Sequence, residues 1–115
     1  MLKDLKILEK QYEFIEWAYP LVNKFPQKQR FVLGQQMQNS MLNILTNIIS
    51  ANHEKNKYIT LKQTSVELDK FRYLFRLAHK FAFMSNKQYE FGSVQINEIG
   101  RMLGGWMKMS LENRG

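Results

Sequence analysis

Apolar residues recur along this chain at spacings of three and four, the period of an amphipathic helix. Leu5, Leu8, Tyr12, Ile15, Tyr19 and Val22 form a first seam, widened by Phe14, Trp17, Ala18 and Leu21. Pro20 falls inside it. Proline has no backbone N–H and crowds the carbonyl four residues back, which predicts a kink or an early end. Asn23-Lys24-Phe25-Pro26 breaks the pattern, and Pro26 suits the first turn of a second helix, where its missing N–H has no intrahelical partner to lose. Phe31, Gly34, Gln38, Met41, Leu45 and Ile48 make the second seam, with Leu42 and Ile49 beside it and Leu33, Met37 and Ile44 on another face. His53 to Lys57, HEKNK, reads as a polar turn. Ile59 and Leu61 begin a third seam that continues through Leu68. Ser85 and Gln88 have the spacing of a capping box. Tyr89, Gly92, Ile96, Ile99, Leu103 and Trp106 supply a fourth seam. The predicted helices cover about 3–22, 27–52, 58–83 and 86–109, with Ser110 to Gly115 a frayed tail. Short connections make successive helices antiparallel neighbours. The expectation is one all-α domain over residues 1–115, an antiparallel up-down four-helix bundle.

The stretch from Leu68 to Phe83, LDKFRYLFRLAHKFAF, is the densest in information. At about 100° per residue, Leu68, Phe71, Phe75, Ala78 and Ala82 share one stripe, and Leu74, Leu77 and Phe81 the stripe beside it. This apolar arc exceeds what an ordinary surface helix buries. Two readings are open: the helix is unusually central, or Leu74, Leu77 and Phe81 meet another subunit. The opposite side carries Asp69, Arg72, Tyr73, Arg76, His79 and Lys80. Gly92, Gly100 and Gly104 lie near one another on the fourth helix, where each costs on the order of 1 kcal/mol relative to alanine. Close approach of another helix would offset that, whereas Gly104-Gly105 could instead end the helix.

Composition adds a charge argument. The 115 residues carry a formal net charge of +7, which favours an anionic partner: nucleic acid first, then an acidic protein or membrane surface. Glu9, Glu13 and Glu16 make an acidic strip, either solvated or facing basic residues of a neighbouring subunit. From Lys24 through Asn52 there is no acid. There are no cysteines, so disulfides, thiolate metal sites and cysteine nucleophiles are excluded, and a reducing cytoplasm is compatible. No apolar run approaches the roughly 18 residues of a membrane span, and the N-terminus lacks a signal-peptide core.

Enzyme chemistry finds little to stand on. His53-Glu54 lacks the second histidine of a zinc helix, and the Glu-x-x-His pairs of a di-iron bundle are missing. His53 and His79 read as a loop and a surface residue. There is no phosphate-cradling Gly-Lys-Ser/Thr loop and no nucleophile elbow, and the carboxylates sit singly on outward positions. The expectation is no enzyme, no metal and no cofactor. What remains is a basic surface. Arg72, Arg76 and Lys80 form a row, with Tyr73 beside it. Arginine pairs with phosphate through its planar fork and stacks on bases, and an aromatic residue can stack an unpaired base. The alternative is a solvated face on which Asp69 neutralises Arg72. Lys24, Lys28 and Arg30, and Lys55, Lys57 and Lys62, form further clusters at opposite ends of the bundle, which favours a diffuse, salt-sensitive contact.

KFPQKQRFVLGQQMQ, LDKFRYLFRLA, MSNKQYE and INEIGRMLGGWMK together resemble the Avd family, accessory proteins of diversity-generating retroelements, over about Tyr12 to Lys108. The resemblance implies a cytoplasmic, bacterial or phage-encoded, non-enzymatic protein. It implies a homopentameric barrel of four-helix bundles that binds the reverse transcriptase and template RNA or cDNA during mutagenic copying. Arg72 and Arg76 match the family's arginine pair in the third helix. A pentamer would need a side-facing surface, for which Leu74, Leu77 and Phe81 are available. Proteins encoded in intervening sequences of ribosomal RNA genes are a second resemblance, from which FIEWAYPL departs by its in-helix proline. An oligomeric scaffold without nucleic-acid binding is a third reading.

Overall fold

The boundaries marked by turn chemistry are built from the residues that marked them. The Ser85 N–H donates to Gln88 Oε1 at 2.8 Å, and the Gln88 N–H donates to Ser85 Oγ at 3.1 Å, a reciprocal capping box. Pro26 stands immediately before the second helix, its carbonyl accepting from the N–H groups of Gln29 and Arg30. The computed structural model describes residues 5–112. The first two residues of the predicted first helix lie outside them. α1 spans Leu5–Asn23 and continues through Pro20. The second rod is a continuous helical run in three parts: α2, Gln27–Gln29, a π-helical turn, Arg30–Gly34, and α3, Gln35–His53. α4 is Tyr58–Lys80 and α5 is Asn86–Glu112. No strand occurs among the described residues. Ser110 to Glu112, predicted as tail, are the last residues of α5.

The rods form a square. α1 packs against α3 and α5, and α4 packs against the same two. The turns after α1 and α4 meet at one end, where the Phe25 and Phe83 rings lie 5.5 Å apart. Across the diagonal, Phe14 meets Phe71 edge-on at 5.5 Å and Phe75 at 6.5 Å. Each such ring contributes about 1.5–3 kcal/mol by burial, so this aromatic centre is a principal source of cohesion.

Several predicted seams are corrected. In α1 the buried line is Ile7, Gln11, Phe14, Ala18 and Val22, while Tyr12 and Tyr19 are exposed. The seam was displaced because its second member is polar: Gln11 is buried and its Nε2 donates to the Met41 carbonyl at 3.0 Å. In the second rod, Leu33, Gly34, Met37, Met41, Ile44, Ile48 and Ala51 face inward and Phe31 is 70% exposed. A π turn holds one more residue than an α turn, so the phase before Gly34 does not carry over from the phase after it. Ile59, placed in the third seam, is 65% exposed. The interior residue one turn beyond Leu61 is Thr64, whose hydroxyl donates to the Thr60 carbonyl at 2.7 Å. Buried Ser40 ties α3 to α4 through a 2.6 Å hydrogen bond to Glu67 Oε2.

α4 also ends three residues earlier than its apolar pattern. Ala82 has φ of 62°, the left-handed conformation that terminates a helix. The N–H of Phe83 donates to the Ala78 carbonyl at 2.9 Å and that of Ala82 to the His79 carbonyl at 3.0 Å, the pattern of a Schellman cap. Phe81 and Ala82 therefore leave the stripes they were predicted to extend, and both are exposed. The fourth seam is as predicted, with Gly92, Ile96, Ile99, Leu103 and Trp106 buried.

Candidate nucleic-acid interface

Arg72 and Arg76 lie one turn apart on α4, facing α5. Arg72 is half-buried, its Nη1 donating to Asp69 Oδ1 at 2.9 Å. It reaches over α5 because residue 100 is glycine: a Cβ there would collide with the Arg72 guanidinium. Gly92 similarly admits Phe75, whose Cε2 would lie 2.9 Å from an added Cβ. Two of the four glycines on α5 are thus explained by close approach of α4. Gly104 and Gly105 have no heavy atom within 4 Å of an added Cβ, and the helix continues past them.

Below the arginines runs a stack of rings. Phe71 stacks on Phe75 at 5.8 Å, Phe75 on Tyr89 at 5.3 Å, and Tyr89 on His79 at 4.2 Å with an interplanar angle of 4°. His79 Nε2 also lies 2.7 Å from Asn86 Oδ1. His79 is thus no idle surface residue, since it joins the end of α4 to the start of α5. Sequence periodicity missed this because Tyr89 and Asn86 belong to another helix.

The other basic residues divide. Lys24, Lys28 and Arg30 are exposed at the turn after α1, the same end as Lys80. Arg30 makes one long hydrogen bond to the Asn23 carbonyl, 3.4 Å. Lys55 and Lys62 are exposed at the opposite end. Lys57 is partly buried, with its ammonium donating to the carbonyls of Ala51 at 2.8 Å and Glu54 at 2.5 Å. Those are the carbonyls that end α3, so Lys57 acts as a helix cap. Among the described residues, Arg76, Lys80, Lys24, Lys28, Lys55 and Lys62 make no ion pair. The structure does not gather the basic residues into one pocket. It brings together Arg72 and Arg76, and leaves clusters at both ends.

Of the predicted subunit-facing residues, Leu74 packs against the core, whereas Leu77 is 43% and Phe81 58% exposed. Ile59, Val66 and Tyr73 are also exposed, at intervals of one heptad along α4. The apolar strip on α4 therefore exists, but it runs from Ile59 through Val66 to Leu77, and Tyr73 lies between that strip and the two arginines, lining the cleft with them. Glu9, Glu13 and Glu16 are exposed and, with Leu8 and Tyr12, line a shallow groove on α1. No group of side chains suited to hold a metal ion occurs among the described residues, and no helix of these is long and apolar enough to cross a membrane.

The fold is that of a known class of helical bundle. A crystal structure of a protein of unknown function from the S23 ribosomal protein family of Bacteroides thetaiotaomicron superimposes with a TM-score of 0.80 at 23% identity, covering 92% of this chain and 98% of that one. A comparison with curated protein sequences gives no match. The profile of the bAvd-like family matches residues 5–110, and the chain belongs to that family.

Proposed function

We propose that this chain is a non-enzymatic accessory protein of a diversity-generating retroelement. It binds the retroelement's reverse transcriptase and nucleic acid through its basic surface, and so supports mutagenic cDNA synthesis in the cytoplasm. Family membership supports the retroelement context. The observation that carries the binding role is the Arg72–Arg76–Lys80 row on one side of α4, where the sole ion pair among the described residues is that of Arg72 with Asp69. Arginine forks in such a row match successive phosphates or an acidic protein surface.

The working form in this reading is a homo-oligomer, a pentamer as the family implies. Two surfaces support it: the apolar strip of Ile59, Val66 and Leu77 on α4, and the acidic groove on α1, which is complementary in sign to the basic side of a second copy. Light scattering is expected to give a mass of five chains; a monomer would refute the assembly. Co-purification with the cognate reverse transcriptase and template RNA tests the function. Wild type should retain both, and Arg72→Glu/Arg76→Glu should lose one or both with its helical circular dichroism intact. Retention of both by the double variant would refute the site.

A further inference from the structure

Between α4 and α5 the two arginines border a cleft of about 510 Å³, inside the range of about 300–1,000 Å³ typical of small-ligand sites. Its α4 wall is Asp69, Arg72, Tyr73 and Arg76, and its α5 wall includes Ser93 and Asn97. Phe75, Tyr89 and Ile96 complete the lining. These groups differ in what they have left to offer. Tyr89 is already stacked with both Phe75 and His79. Tyr73 makes no ring contact among the described residues and is 68% exposed, so its ring is accessible to a stacking partner. Arg76 has no ion pair, and neither Ser93 nor Asn97 has a side-chain hydrogen bond among the described residues. Arg72 is held in place by Asp69 and by the space that Gly100 leaves.

We infer that this cleft receives one unpaired nucleotide of a nucleic-acid strand. Its base lies against Tyr73, its edge is met by Ser93 and Asn97, and its phosphate pairs with Arg76 and Arg72. A duplex offers its phosphates to the same arginines but cannot place a base in the cleft, because its bases remain stacked. A simple anion or an acidic peptide would use the guanidinium groups and leave the accessible tyrosine ring and the two amide and hydroxyl groups without a role. Only a ligand that joins a flat aromatic ring, hydrogen-bonding edges and a phosphate uses all of them. This inference rests on the nucleic-acid reading above and adds to it a preference for single strands and a location for the base.

The test uses the full chain and two fluorescent probes: a mixed-sequence RNA strand, and the same strand annealed to its complement. Wild type should bind the single strand more tightly. Asn97→Leu, at an exposed position, fills the cleft without changing charge and should weaken single-strand binding roughly tenfold while leaving duplex binding unchanged. Tyr73→Ala, also at an exposed position, should cause a similar loss that Tyr73→Phe does not. Arg72→Glu/Arg76→Glu should weaken both probes. Equal single-strand affinity for wild type, Asn97→Leu and Tyr73→Ala would overturn the cleft while leaving the electrostatic reading standing. Unchanged binding of both probes by the double arginine variant would overturn the wider reading, as would no binding by wild type. Displacement of the strand by a polyglutamate peptide as effectively as by unlabelled RNA would assign the arginines to an acidic protein partner instead.

Discussion

Gly92 and Gly104 sit on the same helix, so replacing either with alanine changes intrinsic helix propensity equally, by about 1 kcal/mol in favour of folding. Their surroundings are opposite. An added Cβ at Gly104 meets nothing within 4 Å, so Gly104→Ala should stabilise by about 1 kcal/mol. At Gly92 the new methyl would collide with Phe75 Cζ, lie 2.9 Å from Phe75 Cε2, and lie 3.1 Å from the Trp17 ring. Phe75 has little room to withdraw, since it is 2% exposed and stacked between Phe71 and Tyr89. Overpacking costs about 1–3 kcal/mol. At the upper end of that range, against the propensity gain of about 1 kcal/mol, the net is a loss of about 2 kcal/mol. At about 4 °C per kcal/mol for a chain of this size, Gly92→Ala should lower Tm by about 8 °C and Gly104→Ala should raise it by about 4 °C. Urea and thermal unfolding followed by far-ultraviolet circular dichroism measure both. Protein concentration must be matched, because the proposed assembly would link stability to concentration. Shifts of the same sign and similar size would refute the claim that the contact with Phe75 explains Gly92. Destabilisation by Gly104→Ala would show that another chain covers that surface.

Three further outcomes follow from local geometry. Ala82 holds a left-handed φ of 62°, so Ala82→Gly should stabilise by about 0.5–1 kcal/mol once the greater freedom of glycine in the unfolded chain is subtracted; an unchanged urea midpoint would argue against strain there. Ser85→Ala removes one half of the capping box and should cost about 1 kcal/mol, with hydrogen exchange rising in the first turn of α5 before the rest of the helix. Lys57→Ala should destabilise by about 1 kcal/mol through lost hydrogen bonds to the end of α3 without altering the salt dependence of RNA binding, whereas Lys55→Ala should leave stability unchanged and reduce the salt slope by about 1; the reverse assignment would refute the division between the two lysines.

The number of helices, their turns and the basic row on α4 were legible without tertiary information, because spacing, capping chemistry and proline act over a few residues. Ser85 and Gln88, Pro26, and the buried face of α5 are cases in point. The first two seams were legible only as wide apolar bands. Hydrophobic periodicity weighs each side chain by its own polarity, whereas burial depends on whether a polar group finds a partner. Gln11 enters the core because the Met41 carbonyl, on another helix, accepts its amide, and Ser40 because Glu67 does the same for its hydroxyl. The π turn shifted the phase of the second rod, and a left-handed alanine ended α4 before its apolar pattern ran out. The pairing of Arg72 with Asp69 lay within one turn of helix and could be read from spacing. The cleft beside it could not, because it exists only where Gly100, Ser93 and Asn97 on α5 come to lie against α4. A chain fixes its local hydrogen bonds over three or four residues, but a cavity is the space between two surfaces, and that space is defined only when both are packed in place.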